Sequence, residues 1–271
     1  MSNPILYGFE FDGKGGGSEI IDVKIASEKI ANDQLAWVHL DAGAKDTRNW
    51  LEAELSYLDP FVVSALLAEE TRPRITEIDG GAIIILRGVN LNVDASPEDM
   101  VSIRMWVDRH RIISVQKRKL KAVSDIVTKI NSGTGPCDAG QFISQLVAKL
   151  FERIEPVITD LDEQTDNIEE WILENPDLSL RENIVSIRKK AIILRRYMAP
   201  QKDAIGQLRI SEQDWLISSH KRHLYENYDR VLRYVEDLDA IRERAQIVKD
   251  ELANILSDRL NKNMYILSVI A

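Results

Sequence analysis

The sequence predicts an α+β or α/β fold: a mixed β-sheet of about six or seven strands flanked by helices, then an α-helical hairpin, then a very long C-terminal helix. Three observations carry this. Up to about residue 120, short β-rich runs alternate with turns rich in Gly and Asp. From about residue 138, apolar residues recur at helical spacing. From about 220 to the end there is neither Gly nor Pro. The expected parts are an α/β/α sandwich over 1–135, an antiparallel helical hairpin over 136–210 and the long helix over 211–271.

The elements follow in order. ILYGFEF (5–11) reads as a strand, DGKGGGS as a turn, and EIIDVKI (19–25) as a returning strand. LAWVHLD (35–41) has the short apolar run of a buried strand. Asp46 is the expected N-cap of DTRNWLEAEL. Pro60 opens the helix PFVVSALLAEE. RITEIDGGAIIILRGVNLN (74–92) is a hairpin whose Asp79-Gly80-Gly81 supplies the φ > 0 positions of a tight turn. MVSIRMWVD and RIISVQK form a second hairpin around Arg109-His110.

Next comes QFISQLVAKLFERIEPVITDLDEQTDNIEEWILE, with Phe142, Leu146, Leu150, Ile154, Ile158, Leu161, Ile168 and Ile172 at helical spacing. Pro156 is expected to kink it, Pro176 to end it, Ser179 to cap the next helix, and Pro200 to kink that one. Charge is segregated between the two helices. Ten acids stand against Lys149 and Arg153 over 138–174; seven bases stand against Glu182 over 181–202. This suggests complementary faces in the hairpin.

From about 220, Leu224, Tyr228, Val231, Val235, Leu238, Ile241, Ala245, Val248, Leu252 and Ile255 step by 4 and 3, with one extra 3 at Ile241. That is a coiled-coil seam with one stammer, on a helix of about 75 Å if some 50 residues are helical. A helix of this kind needs partners. Self-association is the expected one; the alternative is packing on its own hairpin.

Composition sets limits on function. A net charge of -9 argues against a nucleic-acid partner, which a basic stripe would mark. Cys137 is the single cysteine, so neither an intramolecular disulfide nor a Cys-rich zinc site is expected. No signal peptide is evident at MSNPILYGFE. No apolar run reaches the roughly 20 residues that span a bilayer. The chain nonetheless closes on NKNMYILSVIA, uncharged from Met264 onward.

Catalytic signals are absent, so no enzyme is expected. Gly13-Lys14-Gly15-Gly16-Gly17-Ser18 lacks the phosphate-loop order and reads as a flexible turn. His220 and His223 could place two metal ligands on one helix face, with Glu226 nearby, but read as an exposed pair. Asp162, Glu163 and Asp166 are further metal candidates, which otherwise face the basic helix or solvent. His39 reads as a strand histidine, and no GxSxG is present.

Three stretches carry a family likeness. ALLAEETRPRITEIDGGAIIILRGVNLN, then SPEDMVSIRMWVDRHRIISVQKRKLKAVSDI, with DAGQFISQLVAKLFERIEPVITDLDEQTDNIEE beyond, closely resemble the cytoplasmic domain of ZntB-type transporters in the CorA metal-ion transporter superfamily. NKNMYILSVIA resembles the start of that family's first transmembrane helix. The resemblance implies a homopentamer in a bacterial inner membrane, with this chain as its cytoplasmic part. It also implies a long stalk helix that becomes the pore-lining helix, and a divalent cation as cargo: Zn2+, with Mg2+ or Co2+ as the alternative. No tightly bound cofactor is implied. Selectivity residues of the Gly-Met-Asn or Gly-Val-Asn signature are not in this sequence. Asn261, Met264, Leu267 (or Ser268) and Ala271 share one helix face, and on the family pattern they line the pore mouth. Asp250, Asn254 and Asp258 are then candidate polar rings below. A soluble coiled-coil scaffold without transport activity is the alternative of another class.

Overall fold

The computed structural model describes residues 3–69, 71–78, 80–174 and 176–270. Among these, seven strands form one sheet: β1 (Ile5–Phe11), β2 (Gly17–Glu19), β3 (Ala36–Asp41), β4 (Arg74–Ile78), β5 (Gly81–Gly88), β6 (Val101–Asp108) and β7 (Arg111–Gln116). Their spatial order is β2-β1-β3-β7-β6-β5-β4. β3 and β7 run parallel, with Asp41 opposite Gln116. The other neighbours are antiparallel. The helices are α1 (Val23–Ile30), α2 (Thr47–Glu54), α3 (Pro60–Leu67), α4 (Lys121–Asn131), α5 (Ala139–Glu174), α6 (Leu180–Ile210) and α7 (Ser218–Ile270). This is the expected mixed α/β class.

Strand alternation builds the two faces of the sheet. Val38 and Leu40 of β3, with Ile83, Ile85, Ile113 and Val115, pack under Ala26, Ile30, Leu51, Val62 and Leu66 of α1, α2 and α3. Trp37 and Phe11 point to the opposite face, where Phe142 of α5 meets them at centroid distances of 4.9 and 6.4 Å. Burying side chains of this size gives about 1.5–3 kcal/mol each. Gln201 of α6 fastens that helix to the sheet. Its Oε1 accepts from the Arg87 N–H at 2.7 Å, and its Nε2 donates to the Arg87 carbonyl at 3.0 Å. One side chain thereby satisfies both backbone groups of Arg87, as a further strand would.

Several local expectations are corrected. The returning strand over 19–25 shrinks to β2, because Asp22 accepts from the Lys24 N–H and starts α1 there instead. Asp46 occupies the N-cap of α2 but makes no side-chain capping bond. Asp59 does cap α3, ahead of Pro60 at the first turn. In the first hairpin turn Asp79 lies outside the described residues; Gly80 has φ +79, and Gly81 already belongs to β5. Asp177 accepts from the Ser179 N–H at 2.9 Å, so the capping oxygen belongs to Asp177, not Ser179. α5 and α6 stay helical through Pro156 and Pro200, as a proline kink, unlike a break, allows. Helix α4 has no counterpart among the elements expected from the sequence.

The chain divides into two compact units. One comprises Met1–Ile154 and Tyr197–Leu232; the other comprises Glu155–Arg196 and Arg233–Ala271. α5, α6 and α7 each contribute a segment to both, so these limits cut through helices.

Candidate functional site

The apolar stripe of α7 is consumed within the chain. Leu224 and Val231 are buried in the first unit; Val235, Leu238, Ile241, Ala245, Val248 and Leu252 are buried in the second. The reading of this seam as a self-association surface is therefore corrected: its partners are intramolecular, as in the alternative. Beyond Leu252 the helix changes character. Asn254, Asp258 and Asn261 are exposed. So are Met264 at 65%, Leu267 at 67% and Ile270 at 77%. The helix nonetheless continues to Ile270, about 27 Å past Leu252 at 1.5 Å per residue. Arg259 donates to the Pro176 carbonyl at 3.0 Å. Asp250 is exposed and accepts from Gln246 Nε2 at 3.0 Å. Ser268 turns its hydroxyl back to the Tyr265 carbonyl at 2.7 Å. Ala271 lies outside the described residues. Among the described residues no helix is long and apolar enough to cross a membrane.

The acidic residues of α5 find one cation. Arg244 of α7 donates to Asp162 at 2.9 Å, to Glu169 at 2.8 and 2.6 Å, and to Asp166. The Glu169 hydrogen bonds, reinforced by Asp166, push the guanidinium further up from its ordinary range. Asp162 and Asp166 thus converge on a guanidinium and not on an open metal position, while Glu163 is exposed. Asp239 of α7 takes Arg195 of α6 at 2.6 Å. The complementary charge expected between α5 and α6 is supplied in these contacts by α7. The pairing has a spacing signal: 162, 166 and 169 step by 4 and 3, one helix face.

His220 and His223 do not act together. His220 is 6% exposed, with Nε2 3.2 Å from Asp138 Oδ1, so the expectation of an exposed pair fails for it. His223 is exposed, 3.8 Å from Glu226. Glycine at 140 makes this burial possible: a Cβ there would stand 2.1 Å from His220 Nδ1. Among the described residues no group of three His, Cys, Asp or Glu side chains is placed to hold a metal ion. The glycine-rich turn is closed by Asp12, whose carboxylate accepts from the N–H groups of Lys14 at 2.7 Å and Gly16 at 2.9 Å. The bond from Lys14 leads in drawing that carboxyl below its ordinary value. Those N–H groups, which a phosphate loop would offer to its ligand, are already used.

His39 is fully buried, and desolvation pushes it down to about 4, so it is neutral at neutral pH. Its Nδ1 lies 2.7 Å from Ser114 Oγ.

Fold and helix together define a class: a sheet domain from which one uninterrupted helix leads to an exposed, uncharged end. Comparison places the chain within that class. Residues 32–271 match the family described as CorA-like Mg2+ transporter protein, and the chain belongs to this family. It is 33% identical over 268 residues to the divalent cation transporter CmaX of Pseudomonas aeruginosa, covering 98% of this chain and 80% of that protein. It is 32% identical over 266 residues to the zinc transport protein ZntB of Yersinia enterocolitica, with the same coverage. The structure of full-length CmaX superposes with a TM-score of 0.91 at 32% identity, over 100% of this chain and 83% of that one.

Proposed function

We propose that the chain is the cytosolic, ion-admitting part of a divalent-cation transporter, with Zn2+ as cargo, in which α7 leads into a membrane pore. The carrying observation is the helix end. From Asn254 to Ile270 it is exposed on nearly every side, and its last turns are uncharged. A helix that is apolar all round belongs in lipid or in an assembly. Family membership supports the reading, and two relatives are named for cation or zinc transport.

In the proposed homopentamer each pore-facing residue becomes a ring of five. Asn261 amides offer oxygens that replace or hold the water shell of a divalent ion. Met264 and Leu267, with Ala271 beyond, form an apolar constriction that gates by dewetting. Asp250, Asn254 and Asp258 form polar rings that concentrate cations ahead of it. The test is a chimera in which residues 1–271 replace the matching part of a ZntB protein, reconstituted in proteoliposomes. Zn2+ uptake is expected. Robust Mg2+ uptake without Zn2+ uptake overturns the zinc assignment, and no divalent flux overturns the transport reading.

A further inference from the structure

A cavity of about 340 Å³ opens between α4, α5 and α7, and its walls all belong to the first compact unit. That volume falls in the range of small-molecule sites.

The amides in its walls are each oriented by a partner of fixed role. On α7, Asn227 is 6% exposed and donates from Nδ2 to the His223 carbonyl at 2.9 Å. A carbonyl only accepts, so the remaining atom is Oδ1. That oxygen has no hydrogen-bond partner among the described residues and opens to the cavity. On α5, Gln141 Oε1 accepts from the Cys137 N–H at 2.7 Å, and Gln145 Oε1 accepts from Lys129 Nζ at 3.3 Å. Both partners only donate, so two Nε2 groups are left for the cavity.

One charge is left over as well. Arg230 follows Asn227 by three residues on the same helix face and is half-buried. Its side chain makes no hydrogen bond or ion pair among the described residues. The carboxylates at the mouth are engaged elsewhere. Glu152 takes Lys149, and Glu226 stands 3.8 Å from His223. A half-buried guanidinium without an acceptor is costly, and a ligand carboxylate would satisfy it bidentately. The formal charges of the walls balance, Lys129 and Arg230 against Glu152 and Glu226, which favours a ligand without net charge.

We propose that this cavity binds a zwitterionic α-amino acid with a carbonyl in its side chain, of the glutamine type. Its α-carboxylate pairs with Arg230. Its ammonium donates to Asn227 Oδ1, with Glu226 at the mouth adding attraction. Its side-chain carbonyl accepts from the Nε2 groups of Gln141 and Gln145. The site stands apart from the transport reading, since no residue of the exposed helix end takes part.

The experiment is isothermal titration calorimetry of the chain with L-glutamine, repeated with analogues so that the fold stays untouched. Saturable binding of one ligand per chain is expected. L-glutamine methyl ester lacks the carboxylate, N-acetyl-L-glutamine lacks the ammonium, and L-norleucine lacks the side-chain carbonyl. Each is expected to bind at least about tenfold more weakly, as loss of one such contact implies. Arg230→Met is expected to weaken L-glutamine binding at least about tenfold, and Arg230→Lys, which keeps the charge, by less. Absence of saturable heat at about 10 mM ligand, equal affinity for the analogues, or affinity that survives Arg230→Met would each overturn the proposal.

Discussion

Single residues set two sharp dependences. Gly140→Ala would drive a methyl group against His220 Nδ1 and the Trp215 carbonyl, at 2.1 and 2.5 Å. A loss of about 1–3 kcal/mol is expected in urea unfolding. His220→Ala should recover part of it in a double-mutant cycle; strict additivity would show that the two do not meet. His39 gives a pH dependence. Its folded-state pKa is depressed to about 4, so protons bind the unfolded chain first as pH falls below the ordinary 6.5. Stability should therefore decline between those two values and stop declining below about 4. At about 1.4 kcal/mol per pH unit, the contribution is about 3 kcal/mol. His39→Gln, measured by unfolding across that range, should remove this component; an unchanged slope would place its origin elsewhere.

At the scale of elements, the Arg244 contacts matter most in the second unit. Arg244→Gln leaves Asp162, Asp166 and Glu169 facing one another, beside Asp237, whose carboxyl burial first and Asp162 next already hold above the ordinary range. These groups are part-exposed, so the expected loss is modest, about 1–2 kcal/mol, and should shrink in high salt. A loss that is insensitive to salt would point to packing instead. Element type was legible wherever a period ran long. The buried strands and α5, α6 and α7 follow from apolar spacing alone. What escaped was decided by single polar atoms or by partners distant in sequence. Asp22 turned a strand-like run into a helix, and α4 is marked mainly by Ala122, Val123, Ile126 and Ile130 after a run of basic residues. The α7 seam was legible as a seam, but its step pattern is the same whether its partner is another copy or the same chain. The buried state of His220 depends on Gly140, eighty residues away, which no local pattern reveals.

For the whole molecule, the proposed transport role divides the long helix into two regimes of substitution. Asn261→Leu changes an exposed residue, so unfolding of the isolated chain should stay within about 0.5 kcal/mol of the parent. In the chimera, however, Zn2+ uptake should fall at least about tenfold, by loss of the oxygen ring. Leu252→Asp should do the reverse in kind, destabilising the isolated chain by several kcal/mol through a buried charge. If Asn261→Leu leaves uptake untouched, the pore-mouth assignment fails while the fold stands.

The continuity of α7 has a mechanical consequence. A helix of 53 residues is about 80 Å long. It is held by buried side chains as far as Leu252 and is bare for its last four or so turns. Leu252 is its last buried residue, so a tilt of about three degrees there carries the tip, about 27 Å on, by about 1.4 Å, half the width of a water molecule. The bare segment is thus a short lever: in the proposed pore, a bend of a few degrees just past Leu252 would move Leu267 far enough to open or shut a hydrophobic ring.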